Sequence, residues 1–173
     1  RLLEHPGGTR REGGSRCGGD RDVPGGQASH TSLIENFFGF PGGIGAKLAD
    51  PSSEVVVLAG DGGFLMTGQE LETAVRHDVP FTTVVFRNGL YGTIALHQAR
   101  AYGRTVGVDI GDVDIAAVAR GYGAEAWSVS SADELTGALT EARTCGRPAV
   151  IDCRVDPDVL SPTDRLSRLL ADG

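Results

Sequence analysis

Apolar and polar positions divide the chain into strand-length runs separated by helical periodicities. Val55 to Ala59 is a continuous apolar run, the pattern of a strand buried on both faces of a parallel sheet. Phe81 to Phe86, "FTTVVF", is rich in β-branched and aromatic residues and predicts a second strand. Ala126 to Val129 and Ala149 to Val155 predict two more. Between them, Pro41 to Ala49 reads as a short helix whose small residues permit close backbone packing, ended by Asp50-Pro51-Ser52-Ser53. Thr67-Gly68-Gln69-Glu70 predicts a capping box opening a helix with Leu71, Ala74 and Val75 on one face. Residues 114 to 122 predict a helix with Ile115, Val118 and Ala119 inward, and Ser131-Ala132-Asp133-Glu134 caps another reaching about Thr144. Ser32-Leu33-Ile34-Glu35 has the form of a weaker capping box. Strands alternating with helices in this order predict an α/β fold, a mostly parallel, doubly wound sheet with helices on both faces.

The ends of the chain do not follow this pattern. Residues 1 to 31 hold 8 of the 26 glycines, with five arginines nearly balanced by four carboxylates, and have neither helical nor strand periodicity. They read as a disordered arm or as sequence foreign to the domain. The domain itself is expected over residues 32 to 162, with a tail over 163 to 173. The chain starts at Arg1, and its one methionine, Met66, lies within an expected core segment, so an incomplete reading frame is expected.

The candidate chemistry lies where the strands stop. In a parallel α/β sheet, ligands bind beyond the carboxyl ends of the strands. Asp61, in Gly60-Asp61-Gly62-Gly63, follows the first strand, and Asn88, in Arg87-Asn88-Gly89, follows the second. Either tripeptide alone is an ordinary turn. If the two strands are neighbours, however, a carboxylate and an amide oxygen face one crevice, and both are hard ligands suited to Mg²⁺. Gly62 and Gly63 are then expected to leave their N–H groups accessible to a phosphate, with the positive end of the helix begun at Thr67 pointing the same way.

Composition narrows the ligand class. With 40% hydrophobic residues in 173, the chain can bury a core, and its net charge of −7 leaves no basic footprint for nucleic acid. An anionic ligand therefore needs local help such as a metal ion. Cys17, Cys145 and Cys153 form no Cys-x-x-Cys pair, which suits free thiols in the cytoplasm. No apolar run reaches the roughly 20 residues that cross a bilayer, so no membrane partner is expected.

Residues 60 to 94, "GDGGFLMTGQELETAVRHDVPFTTVVFRNGLYGTI", resemble the diphosphate-binding segment of thiamine diphosphate enzymes of the acetolactate synthase, benzoylformate decarboxylase and pyruvate decarboxylase group. The family pattern is Gly-Asp-Gly, about two dozen residues, then Asn-Asn, often followed by Tyr-Gly. Gly60-Asp61-Gly62, Asn88 and Tyr91-Gly92 match it, and the flanking "PGGIGAKLADP" and "QELETAVRHDVP" are similar to the same group. The resemblance runs from about residue 32 to 162. It implies Mg²⁺ held by the side chains of Asp61 and Asn88 and the backbone carbonyl of Leu90, with Gly60, Gly62 and Gly63 contacting the cofactor. It also implies a bulky apolar side chain supporting the bent cofactor, for which Phe38 or Phe37 in "NFFGFPGG" is the candidate, although the spacing departs from the family's.

Arg87 stands where the family usually has the first Asn. It is read as facing solvent or an acidic neighbour, with a phosphate as the other partner. His77, near a helix C-terminus, is read as structural, and His97 has no base partner in the sequence. By the resemblance, the activating glutamate resides on a pyrimidine-binding domain across a subunit interface, in a homo-oligomeric enzyme acting on 2-oxo acids. The chain then reads as the cofactor-binding portion of a carboligase or decarboxylase of the acetolactate synthase kind, a fragment inactive by itself. The competing reading is a noncatalytic Mg²⁺/diphosphate-binding module or a degraded gene product. A nucleotide-binding Rossmann domain is disfavoured because no Gly-x-Gly-x-x-Gly follows the first strand.

Overall fold

The computed structural model describes residues 31–32 and 39–171. Five strands, β1 (Thr31–Ser32), β2 (Val56–Gly60), β3 (Thr82–Arg87), β4 (Glu125–Val129) and β5 (Ala149–Arg154), form one sheet in the order β1-β2-β3-β5-β4, and every pairing is parallel. Among the described residues seven helices accompany it: α1 (Gly39–Ala49), α2 (Asp61–Thr67), α3 (Glu70–Arg76), α4 (Gly92–Tyr102), α5 (Ile115–Gly121), α6 (Ala132–Thr144) and α7 (Leu166–Ala171). The α/β doubly wound sheet expected from the pattern is the one observed.

Alternation along the strands divides the interior into two cores. Val57, Phe81, Val85 and Val150 face one side, where Phe40 of α1, Phe64 of α2, Leu71 and Ala74 of α3, and Ile115 and Ala119 of α5 pack on them. Val84, Ile151 and Cys153 face the other side, against Ala138 and Ala142 of α6. The continuous apolar runs are thus buried from both faces.

Gly43 of α1 is buried, and a Cβ there would lie 2.7 Å from Val57 Cγ2 and 3.1 Å from the Phe81 ring. The small-residue helix does pack closely on the sheet. Gly43→Ala therefore overpacks and is expected to cost about 1–3 kcal/mol. Gly45→Ala, where a Cβ meets nothing within 4 Å, is expected to gain about 0.5–1 kcal/mol from helix propensity. Urea denaturation of the two variants measures the contrast. In β3, the buried Thr83 hydroxyl has no hydrogen-bond partner among the described residues, and its register neighbours are Val57 and Val150. Thr83→Val removes an unpaired polar group at nearly constant shape, so it is expected to raise stability by about 1 kcal/mol in the same assay.

Several expected details differ. The capping box at Thr67 does not form: Thr67 is the last residue of α2, its hydroxyl donates to the Gly63 carbonyl at 3.4 Å, and α3 has no side-chain cap. The reason is that a helix already starts at Asp61, and Gly68 ends it with its N–H on the Phe64 carbonyl at 2.7 Å. Val118 is 38% exposed rather than inward, because the buried arc of α5 runs through Ile115, Ala116 and Ala119. Ser32 lies in β1, and residues 33 to 35 of the capping box expected there fall outside the described residues. Helix α4 was not expected, and α7 occupies part of the expected tail. By contrast, Ser131 does cap α6, accepting from the Glu134 N–H at 3.3 Å, while Glu134 accepts from the Ser130 N–H at 2.7 Å. These contacts hold the Glu134 carboxyl below its ordinary pKa.

Candidate functional site

Strands β2 and β3 are direct neighbours, with Gly60 opposite Phe86, so their carboxyl ends finish level. At one end the chain passes from Gly60 straight into α2, placing Asp61 in its first turn, where a carboxylate is favourable. At the other end, Arg87 closes β3 and the loop Asn88–Tyr91 leads into α4. The two strand ends that carry Asp61 and Asn88 therefore lie side by side.

Asp61 joins them. Its side chain is only 3% exposed; Oδ1 accepts the Gly62 N–H at 2.9 Å and Oδ2 accepts the Gly89 N–H at 2.7 Å. Gly89 has φ +74°, a conformation that favours glycine and aims its N–H at Asp61. Half-buried Asn88 turns its Oδ1 onto the Leu90 N–H at 3.0 Å. The Asn88 amide also lies close to α4: a Cβ at Gly92 would be 3.3 Å from Asn88 Nδ2.

Residues 108–110 back the loop. The Tyr91 N–H donates to the Val108 carbonyl and the Ile110 N–H to the Gly89 carbonyl, both at 2.8 Å, forming an antiparallel bridge in which Leu90 faces Asp109. These two bonds leave the Leu90 carbonyl out of the bridge. Tyr91 folds over α2, so that a Cβ on Gly62 would come within 2.8 Å of its ring. Gly62 and Gly63 are buried, and the Gly62 N–H is committed to Asp61. An accessible pair of amide donors is thus not what the structure presents; the carboxylate folds back onto its own helix start and takes one of them. Gly60 is exposed, with open space where a Cβ would be.

The donor set can be tested against Mg²⁺. Among the described residues, Asp61 forms no ion pair. A buried carboxylate without a counter-charge is costly, and two N–H donors offset only part of that cost. A carboxylate, an amide oxygen and a free backbone carbonyl are all hard oxygen donors, and Mg²⁺ sites that also take phosphate need only one or two carboxylates. The residues present fit the ion. No group of three His, Cys, Asp or Glu side chains suited to a metal occurs among the described residues, so a zinc-type centre is not formed there.

Arg87 is paired with acidic neighbours. Its Nε and Nη2 form a fork onto Asp152 at 2.8 and 2.9 Å, and Nη1 meets Asp112 at 3.0 Å. The bond to Asp152 raises the Arg87 pKa above its ordinary value, so its charge is permanent. Cys153, next to Asp152, is pushed up by burial and then by that negative charge, which keeps the thiol protonated and unreactive. His77 is the exposed C-cap of α3. His97 is exposed on α4. Phe37 and Phe38 lie outside the described residues.

Two cavities flank the sheet. One of about 240 Å³ adjoins the site and is lined by Arg87, Asn88, Gly89, Asp112 and Arg154. The larger, about 580 Å³, opens at the opposite, amino end of the strands beside Lys47, Thr82, Arg143 and Arg147. Its size does not make it the site: Lys47 is bound to the carbonyls of Pro51 and Ser53, Arg143 to Glu54, and Arg147 to Glu125 and the Gly123 carbonyl. Sequence reasoning missed the Tyr91 lid on Gly62 and the partner of Arg87. A carboxylate inside the apolar run "AVIDCRV" was the available signal, since Asp152 in a buried strand requires a cation.

Comparison with known proteins places the chain in a family. Residues 30–153 match the family model described as "Thiamine pyrophosphate enzyme, C-terminal TPP binding domain". The chain is 40% identical over 116 residues to the acetolactate synthase of Bacillus subtilis (strain 168), covering 67% of this chain and 20% of that protein. It is 39% identical over 122 residues to a probable acetolactate synthase large subunit of Methanococcus aeolicus, covering 69% and 20%. The solved structure of a Rhodococcus jostii RHA1 thiamine diphosphate-dependent 4-hydroxybenzoylformate decarboxylase superposes with a TM-score of 0.66 at 31% identity, covering 69% of this chain and 23% of that one. The chain thus spans about a fifth of the length of the curated relatives it matches. With Asp61 and Asn88 at adjacent strand ends and the family model matched over most of the described fold, the chain belongs to the thiamine pyrophosphate enzymes, as a C-terminal thiamine pyrophosphate-binding domain of the acetolactate synthase-like kind.

Proposed function

We propose that Asp61, Asn88 and the backbone carbonyl of Leu90 hold Mg²⁺, which in turn holds the diphosphate of thiamine diphosphate beside the exposed Gly60; Gly62 and Gly63, buried at the start of α2, shape the floor beneath it rather than donate to it. The observation that carries this reading is the Asp61 carboxylate, buried at 3% exposure, linked to the opposite strand end at 2.7 Å and lacking an ion-pair partner among the described residues. Arg87 supplies no phosphate contact, because its guanidinium is engaged with Asp152 and Asp112.

The domain serves a 2-oxo acid carboligase or decarboxylase similar to acetolactate synthase. When bound, the cofactor supplies the carbon nucleophile and electron sink that decarboxylation of a 2-oxo acid needs. This chain's residues bind and orient: Asp61 and Asn88 fix the metal end, and the stitched loop 88–91 keeps it from shifting. Turnover requires a glutamate from a pyrimidine-binding domain, elsewhere in the protein or on another chain, in a homo-oligomer. By themselves these 173 residues bind the cofactor without turning over.

Calorimetric titration with thiamine diphosphate tests the metal assignment. Binding is expected with Mg²⁺ and is expected to vanish with a chelator; equal binding in both conditions overturns the assignment.

A further inference from the structure

Arg87 precedes Asn88 at the last position of β3, and its side chain ties three parts of the fold together. The fork onto both oxygens of Asp152, at 2.8 and 2.9 Å, anchors it to β5. Nη1 on Asp112 at 3.0 Å anchors it to the segment 108–112. The planar guanidinium has a fixed geometry in such a fork, so both ends constrain the backbone that carries it. Asp152 is fully buried, whereas the Asp112 side chain is 87% exposed.

The backbone extends the arrangement. The Arg87 carbonyl accepts from the Val155 N–H at 3.0 Å, and segment 108–110 holds Gly89 and Tyr91 from outside. Asn88 therefore sits between a residue locked to β5 and a loop locked to 108–110, and Arg87–Asp112 joins those two supports. Displacing the segment would move the loop that presents the Asn88 oxygen and the Leu90 carbonyl.

We infer that Arg87, through Asp152 and Asp112, is a positioning residue that sets the placement of Asn88 and hence the metal affinity of the cofactor site. The inference rests on the Mg²⁺–thiamine diphosphate reading above. Arg87 acts without touching the cofactor, by holding the ligand loop in register with Asp61.

The test compares Mg²⁺ half-saturation at saturating thiamine diphosphate, well below every melting temperature, in the full 173-residue chain and its variants. Arg87→Met with Asp152→Leu removes both charges and replaces them with apolar side chains, so no unpaired charge is left inside. This double variant is expected to need about tenfold more Mg²⁺, within the 10–100-fold range for loss of a second layer around a metal site. Its Gly89 and Leu90 amides are also expected to exchange hydrogen faster without cofactor. Asp112→Asn, at the surface, is expected to raise the half-saturation about threefold while leaving the melting temperature nearly unchanged, a split that a merely structural bridge would not produce. If the double variant does not fold, Asp112→Asn and Arg87→Lys decide by the same reading: a raised half-saturation supports the inference and an unchanged one overturns it. Binding that needs Asp61 but ignores Arg87, Asp152 and Asp112 overturns this inference alone. Binding undiminished in Asp61→Ala overturns the metal reading and this inference with it.

Discussion

Asp61→Ala is expected to abolish Mg²⁺-dependent binding of thiamine diphosphate, with affinity falling by more than about 100-fold, beyond what loss of an outer partner causes. Two consequences of the substitution act together. The one charged donor of the site among the described residues disappears, leaving Asn88 and a carbonyl, neutral oxygens that hold Mg²⁺ poorly. The Gly89 N–H, which donates to Asp61 Oδ2 at 2.7 Å, also loses its acceptor, so the loop after β3 is no longer tied to the start of α2. An orphaned donor of this kind costs about 1–3 kcal/mol, and the melting temperature should fall accordingly. Asp61→Asn separates the effects. It keeps the shape and one of the two acceptors, enough for either the Gly62 or the Gly89 N–H, but loses the charge, so part of the stability should return while the affinity does not. Calorimetry and thermal melting on the same two variants read both, and Asp61→Ala binding as tightly as the original chain would refute the assignment.

Asp152→Ala is expected to destabilise the fold by about 3–5 kcal/mol, because it leaves the Arg87 guanidinium, with its side chain 11% exposed, without its buried partner. Asp112 remains, but at 87% side-chain exposure it is screened by solvent and offsets little. For a domain of this size, the melting temperature should drop by about 10 °C. Because the broken pair is buried, added salt should change the difference little. Urea unfolding of Asp152→Ala measures it, and a cost below about 1 kcal/mol would mean that the fork contributes little. Arg87→Ala leaves the fully buried Asp152 carboxylate unpaired and should be similarly severe.

These expectations depend on features of unequal legibility. Strands β2, β3 and β5 were readable because uninterrupted β-branched and apolar residues are what two-sided burial selects. The position of Asp61 and Asn88 just past adjacent strand ends was readable because a polar residue beside glycine, directly after such a run, falls at the carboxyl edge of a parallel sheet. Helix α2 was not readable, since Asp-Gly-Gly has low helix propensity; burial of Phe64 against Phe40, with ring centroids 5.6 Å apart, overrides it. Helix α4 hides for a different reason: its buried stripe is Ala95 and Ala99, too small to stand out as apolar periodicity. The insertion of β5 between β3 and β4 is a matter of long-range pairing, which local pattern does not encode. The Arg87–Asp152 fork spans 65 positions, and only the sheet order brings its halves together.

The central claim, that a metal ion sits between the ends of β2 and β3, is tested most directly by locating it. Mn²⁺ shares the preference of Mg²⁺ for oxygen ligands and scatters anomalously, so crystals of the chain grown with Mn²⁺ and thiamine diphosphate can reveal its position. The expected result is one anomalous peak about 2.0–2.3 Å from an Asp61 oxygen, Asn88 Oδ1 and the Leu90 carbonyl, beside the cofactor's diphosphate. A bound diphosphate with no peak there, or a peak held by other residues, would contradict the account.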